Sequence, residues 1–293
     1  MSWFFLSLLA ALSLATSDAL TKRFFGNLPP LMMGIIRLGY ALPWLLAALF
    51  FIPWIIPDTT FWSCIAIGLP LEALAFYCYM KAIKVSPLSL TVPFLAFTPG
   101  FIILTGWIIL SEEISPGGFC GIILIIVGAY FLNLSKTNYG ILAPVMAIFR
   151  EPGSRLMLLV SFIYAFTSTI GKLAIIHSNP YFFGILYNTA LAVLLTLFLP
   201  AFLPAAAIAE PARNLMSKLL IGLILGALVA TTVFSHMLAI SMTNVAYMIS
   251  LKRTSLLFGV LYGALWFKEE KIAERLTGAI IMITGVFLIG LFG

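Results

Sequence analysis

The stretch SEEISPGGFCGIILIIVGAYFLNL occupies residues 111–134, and KEEKIAERLTGAIIMITGVFLIGL occupies residues 268–291. Each opens on charged residues and then runs apolar to its end. At an offset of 157 they pair Glu112-Glu113 with Glu269-Glu270, and Gly121 and Gly128 with Gly278 and Gly285. Apolar runs of 18 or more residues recur along the chain, each long enough to cross a hydrocarbon core about 30 Å thick. The return of one pattern in the second half implies a duplicated, membrane-spanning chain.

Working outward, the same offset lays MKAI (80–83) on MLAI (237–240), Phe101 on Phe258 and Gly106 on Gly263. Nearer the N-terminus an offset of 150 pairs Leu6 with Leu156, Ala15 with Ala165, Lys22 with Lys172, Pro30 with Pro180 and Gly34 with Gly184. Apolar runs bounded by charge, Pro and Gly predict ten spans, at 3–21, 30–52, 62–83, 87–110, 117–134, 156–176, 181–203, 218–240, 244–267 and 274–292. The predicted fold class is an all-α polytopic membrane protein of ten transmembrane helices in two inverted five-helix repeats, 1–134 and 156–293, joined by a long loop over 135–155. An odd number of spans per repeat forces the halves into opposite orientations, a transporter signature with its site near the repeat interface.

Composition agrees. Of 293 residues 62% are hydrophobic and 9% charged, with a mean hydropathy of +1.15, against about 25% charged in soluble domains. No short alternating segments suggest a β-barrel. Cys64, Cys78 and Cys120 lack any CxxC spacing and read as small buried side chains. The opening MSWFFLSLLAAL has no basic segment of the kind that starts a signal peptide, so it reads as the first span.

The net charge of +6 speaks to orientation rather than to nucleic acid. One side of the membrane would hold Lys22, Arg23, Lys81, Lys84, Lys136, Arg150, Arg155, Arg213, Lys218, Lys268, Lys271 and Arg275, which are 12 of the 16 cations. The other side, with both termini, holds none. Cation-rich loops stay in the cytoplasm, so both termini are expected outside, in a plasma (inner) membrane.

The two quoted segments resemble the repeat of the drug/metabolite transporter superfamily, EamA type. There a Glu ends the fourth span and a Gly follows nine residues later, as Glu112 with Gly121 and Glu269 with Gly278 do here. The TP of LAFTPGF (95–101) is also similar to the family's fourth span. The resemblance covers nearly the whole chain. It implies ten helices around a central cavity and export or exchange of small solutes. One departure is orientation: well-known ten-helix members have cytoplasmic termini.

Lys172, Lys252, Arg253 and Arg37 are the cations inside spans. An Arg or Lys at a helix centre costs about 2.5–3.5 kcal/mol to insert, so the adjacent pair would cost about 6 kcal/mol without partners. Lys252 would lie about 12 Å inside its span at 1.5 Å per residue, deep for snorkelling. Lys172 is shallower, and snorkelling explains it equally well. The triose-phosphate translocators, a related branch, hold phosphate with a Lys in the sixth helix and a Lys-Arg pair in the ninth. That similarity implies an anion site at Lys172, Lys252 and Arg253. Glu72, at the centre of the third span with no charge nearby in sequence, is a counter-ion to the pair, a proton carrier or a structural partner alone.

Pro93 and Pro99 can kink the fourth span at the cavity. Tyr77, Tyr164, Tyr187, Tyr247 and Trp107 are cavity-lining candidates, with packing or interface anchoring as the alternative. Asp18 is explained by a helical pair with Lys22, Arg37 by snorkelling or pairing, His177 by an interfacial place and His236 by satisfied burial. Glu112, Glu269 and Glu270 read as helix-end elements.

The expected function is secondary transport of a small organic anion, possibly phosphorylated, by alternating access. Efflux of drug-like amphiphiles is the alternative, and a membrane-embedded enzyme is disfavoured: there are two isolated His and no HExxH. No GxxxxGK[ST] occurs, so coupling is expected from a gradient or exchange rather than nucleotide hydrolysis. No cofactor, metal site or nucleic-acid partner is expected. The partners are the solute and membrane lipid, with a homodimer left open.

Overall fold

A computed structural model describes residues 2–53, 55–85, 92–134, 151–202, 218–267 and 272–293, and every regular element among them is helical. The first half forms α1 (Ser2–Phe25), α2 (Pro30–Ala48), α3 (Thr59–Val85), a 3₁₀ turn (Val92–Phe97), α4 (Thr98–Leu110) and α5 (Pro116–Leu134). The second forms α6 (Pro152–Ile176), α7 (Pro180–Phe202), α8 (Leu219–Met242), α9 (Val245–Lys252), α10 (Ser255–Phe267) and α11 (Ile272–Phe292). Helices α1, α2, α3, α6, α7 and α8 are each long and apolar enough to cross a membrane, and shorter apolar helices cover Phe94–Leu110, Pro116–Phe131 and Thr277–Phe292. This is a multi-pass helical membrane protein.

Several boundaries follow from proline. Pro30, Pro116, Pro152 and Pro180 each open a helix, where a missing N–H costs no intrahelical bond and the fixed φ already suits the first turn. The reversal after α4 is made without glycine: Ser111 adopts φ 53°, and the Glu112 N–H reaches back to the Gly106 carbonyl at 3.1 Å. That turn aims the Glu112 side chain back along its own helix.

The halves interlock rather than lie side by side. α1 packs on α8 and α6 packs on α3; α4 packs on α6, while α9 and α10 pack on α1. Exchanging the halves maps each of these pairings onto the other. α5 and α11 meet across the middle, running antiparallel, with Gly121 beside Gly285 and Gly128 beside Gly278. A methyl group on Gly128 would stand 2.7 Å from the Gly278 carbonyl oxygen, so the two backbones touch only because side chains are absent. Small residues allow such close approach where lipid supplies no hydrophobic drive between helices.

The ninth span departs from the expected continuous helix. It breaks at Arg253-Thr254, with no Pro or Gly present. The Arg253 N–H is shared between the carbonyls of Ile249 (3.2 Å) and Ser250 (3.0 Å), and Thr254 and Leu256 donate three residues back, to Leu251 and Arg253, at 3.0 Å each. The Thr254 hydroxyl also takes the Leu251 carbonyl at 2.7 Å, competing with the helical ladder. Such 3₁₀ tightening in mid-helix is uncommon and often accompanies function. In the fourth span the corresponding break falls at Thr98, where the 3₁₀ turn ends beside Pro99. Thr98 and Ser255, which open α4 and α10, are 157 residues apart, the offset of the repeat.

Of the expected loop over 135–155, residues 135–150 lie outside the described residues, and α6 already opens at Pro152; Lys268, Glu269, Glu270 and Lys271 also lie outside them, as do the side chains of Pro93 and Arg275.

Candidate functional site

A cavity of about 500 Å³ lies between helices of both halves. Leu14 and Arg37 reach it from α1 and α2, Glu72 and Phe76 from α3, Thr98 from the start of α4, and Tyr164 and Thr167 from α6. Tyr187 and Asn188 line it from α7, His236 and Thr232 from α8, and Lys252, Arg253 and Ser255 from the break in the ninth span. The two broken spans therefore meet at this cavity. A helix break there is tolerable because freed backbone groups face a cavity instead of lipid.

The adjacent cations have neutral partners. The Lys252 ammonium lies 3.0 Å from His236 Nδ1, and the Arg253 guanidinium donates to the Thr98 hydroxyl at 2.8 Å. Thr98 in turn shares a 2.9 Å hydrogen bond with Ser161. Arg253 Nε is buried without a partner. Among the described residues, neither cation is within ion-pairing distance of a carboxylate. Glu72 lines the same cavity as Thr167 and Lys252. This differs from Arg37, which is ion-paired with Asp18 and donates to the Ser17 hydroxyl at 2.9 Å.

Lys172 is elsewhere. It does not line the cavity; its ammonium is ion-paired with Glu112 and donates to the Thr243 carbonyl at 2.7 Å. The other Glu112 oxygen accepts the Val245 N–H, the first of α9, at 2.9 Å, and the Asn244 amide donates to the Glu113 carbonyl at 2.7 Å. A carboxylate at a helix N-terminus is favoured by the helix dipole. Lys172 and Glu112 thus tie the ends of α4 and α6 to the start of α9. In this structure Lys172 stands apart from Lys252 and Arg253, held by a carboxylate 60 positions away.

The aromatic candidates divide. Tyr164 and Tyr187 line the cavity. Tyr247 does not: it is buried, stacks on Trp3 at 6.5 Å, and its hydroxyl accepts the Ser115 N–H at 2.9 Å, so it packs α9 against α1 and α5. Tyr77 is exposed on α3, 6.0 Å from the Lys81 ammonium, and Trp107 is exposed on α4. Pro99 is buried beside the cavity, with Thr98 rather than the ring facing it. No group of three or more His, Cys, Asp and Glu that could hold a metal occurs among the described residues.

These features, two interlocked five-span halves around a central cavity, can be set beside known proteins. Residues 1–134 match the EamA-like transporter family. On a multi-pass helical chain, that match points to a membrane transporter of small molecules rather than to an enzyme. No curated protein matches the chain. One solved structure, described as "Crystal structure of protein", superposes with a TM-score of 0.74 over 99% of this chain and 95% of the other, at 16% identity. That likeness concerns the fold.

The EamA-like half supplies Glu72 and Thr98 to the cavity, and the second half supplies Lys252, Arg253 and His236. Thr98 and His236 were not among the expected site residues. Thr98 carried a signal, since it opens the proline-broken part of the EamA-like fourth span. His236 carried only its own rarity: nothing in sequence joins it to Lys252, 16 residues on and in another span.

Proposed function

We propose that the protein is a secondary transporter of a small organic anion, with Lys252 and Arg253 as its substrate grip. The observation that carries this reading is the contrast among the cations inside spans. Among the described residues, Arg37 and Lys172 have carboxylates of their own, whereas Lys252 and Arg253 face a cavity and bond a His and a Thr. Placing two unneutralised cations in a poorly hydrated site is costly, and an arriving anion offsets that cost. Arg presents a planar fork to two oxygens of a carboxylate or phosphate, and Lys adds a compact charge. Arg253 Nε, buried and unpartnered, is a donor left for such a ligand.

Glu72 holds part of the charge balance while the site is empty. Lys172 has no part in the grip. The two halves, 1–134 and 156–293, rock about the cavity to expose it alternately, with the breaks at Thr98 and Arg253-Thr254 as the flexing points. The protein sits in a plasma membrane with both termini outside.

Transport in proteoliposomes tests the assignment. Anion uptake should fall by more than tenfold in the Lys252→Met/Arg253→Met double variant, while a neutral solute of similar size shows no such dependence. Unchanged anion uptake in the double variant, or transport of cationic amphiphiles by both proteins alike, would replace this reading with drug efflux.

A further inference from the structure

The bond between Lys252 and His236 carries information about protons. A lysine ammonium has three donors and no acceptor. With Lys252 charged, Nδ1 of His236 at 3.0 Å is the acceptor, and the ring is then the neutral tautomer with its hydrogen on Nε2. A proton added at Nδ1 would set two cations against each other at that distance. As long as Lys252 stays where it is, His236 cannot take a proton.

An anion changes that. Lys252 and His236 line the same cavity, so an anion gripped by Lys252 and Arg253 competes with Nδ1 for the ammonium's hydrogens. Once Lys252 turns to the anion, Nδ1 is a free base lining the cavity beside new negative charge. The surrounding charges favour protonation only for some anions. Lys252, Arg253 and Glu72 face the cavity, and Arg37 is neutralised by Asp18. The remaining titratable groups around His236 from the packed helices are Tyr164 and Tyr187, neutral phenols. With Lys252 and Arg253 charged and Glu72 ionised, the site carries one net positive charge. A singly charged anion cancels it, and a doubly charged anion leaves one negative charge over.

We propose that His236 is the proton site of the transporter, so that a doubly charged anion binds together with one proton at Nδ1 and a singly charged anion binds with none. The proton comes from water on the side where the anion enters; the imidazole becomes imidazolium and Lys252 keeps its charge throughout. This rests on the anion reading above and deepens it, by naming charge as what divides the substrates.

Sulfate and methyl sulfate are suitable probes, because neither titrates near neutrality. Their affinities for the purified full-length protein are measured from ligand-induced thermal shifts between about pH 6 and 8. Sulfate should weaken by up to about tenfold per pH unit, the slope of one linked proton, and methyl sulfate should not change. His236→Gln keeps an acceptor for Lys252 but cannot take a proton, so in it the sulfate slope should vanish while methyl sulfate still binds. Proton uptake by the unsubstituted protein in weakly buffered solution gives a check that needs no variant: about one proton per sulfate and none per methyl sulfate.

A sulfate slope that survives His236→Gln, or that is lost instead in Glu72→Gln, puts the proton elsewhere and overturns the proposal. Flat pH profiles for both anions, with binding still lost in Lys252→Met/Arg253→Met, overturn it while the anion site stands. If neither anion depends on Lys252 and Arg253, the anion reading itself fails.

Discussion

Glu112 and Lys172 are nearly buried, with side chains 8% and 12% exposed, and each satisfies the other. Removing one partner of such a pair typically costs about 3–5 kcal/mol, because the remaining charge stays buried. Lys172→Met or Glu112→Gln should therefore lower the melting temperature sharply, while the double variant recovers most of the loss. Anion affinity should be unaffected in a variant that remains folded; a selective loss of anion binding in Lys172→Met would return that residue to the substrate site. At the same end of the molecule, Asp58 accepts the Phe61 N–H at 2.9 Å and meets His177 at 2.6 Å, joining the start of α3 to the turn after α6. The Phe61 N–H is the main cause that holds the Asp58 carboxyl below its ordinary range; burial pushes it up less strongly, and His177 and the Thr60 N–H add smaller downward contributions. The lowered value means the carboxylate's contribution is complete above about pH 4, its unfolded range, and is lost as pH falls through the folded value. Asp58→Asn should thus be less stable than the unsubstituted protein at neutral pH and converge with it in acid. A stability gap that persists in acid would contradict the assignment. In the sequence, Lys172 and His177 were polar groups with no address: their partners lie 60 and 119 positions away, beyond any local spacing rule.

At the scale of helices, the glycines shared by the two quoted segments turn out to face one another. Gly285 packs so closely on α5 that a methyl group there would lie 2.6 Å from the Gly121 carbonyl oxygen and 2.9 Å from the Ile125 nitrogen. Backbone cannot yield as a side chain does, so Gly285→Ala should cost at least the 1–3 kcal/mol typical of overpacking. Gly259 in α10 is the control: a methyl group there meets nothing within 4 Å, and Gly259→Ala should be neutral or stabilise by up to about 1 kcal/mol. Thermal denaturation of the two variants side by side reads the difference, and equal effects would refute the close packing. Helix positions and the glycine register were legible because both rest on apolar length and on small residues repeated at fixed spacing. The break in the ninth span was not: Lys252, Arg253 and Thr254 are ordinary helix residues locally, and only the cavity, His236 and Thr98 explain where the ladder gives way.

Across the whole molecule, α1 and α11 bring both ends of the chain to one face: Phe4 packs on Gly290, and the Ser115 hydroxyl donates to the Phe292 carbonyl at 2.5 Å. With 12 of 16 cations assigned to the loops of the opposite face, both termini should lie outside the cell. A C-terminal fusion to a reporter that fluoresces only in the cytoplasm should stay dark, and a bright one would invert the orientation. The duplication and the adjacent cations were readable from sequence, since both are patterns within the chain. The partners that separate a structural cation from a substrate cation were not, because they are set by packing between halves. The central claim is that Lys252 and Arg253 await an anion, and the most direct measurement is thermal stability of the purified protein with phosphorylated, carboxylated, neutral and cationic metabolites, beside Lys252→Met/Arg253→Met. A ligand at 100 times its dissociation constant adds about 2.7 kcal/mol to the folded state. Anions should stabilise the unsubstituted protein and leave the double variant unmoved; equal stabilisation of both proteins by cationic or neutral amphiphiles would make the cation pair structural instead.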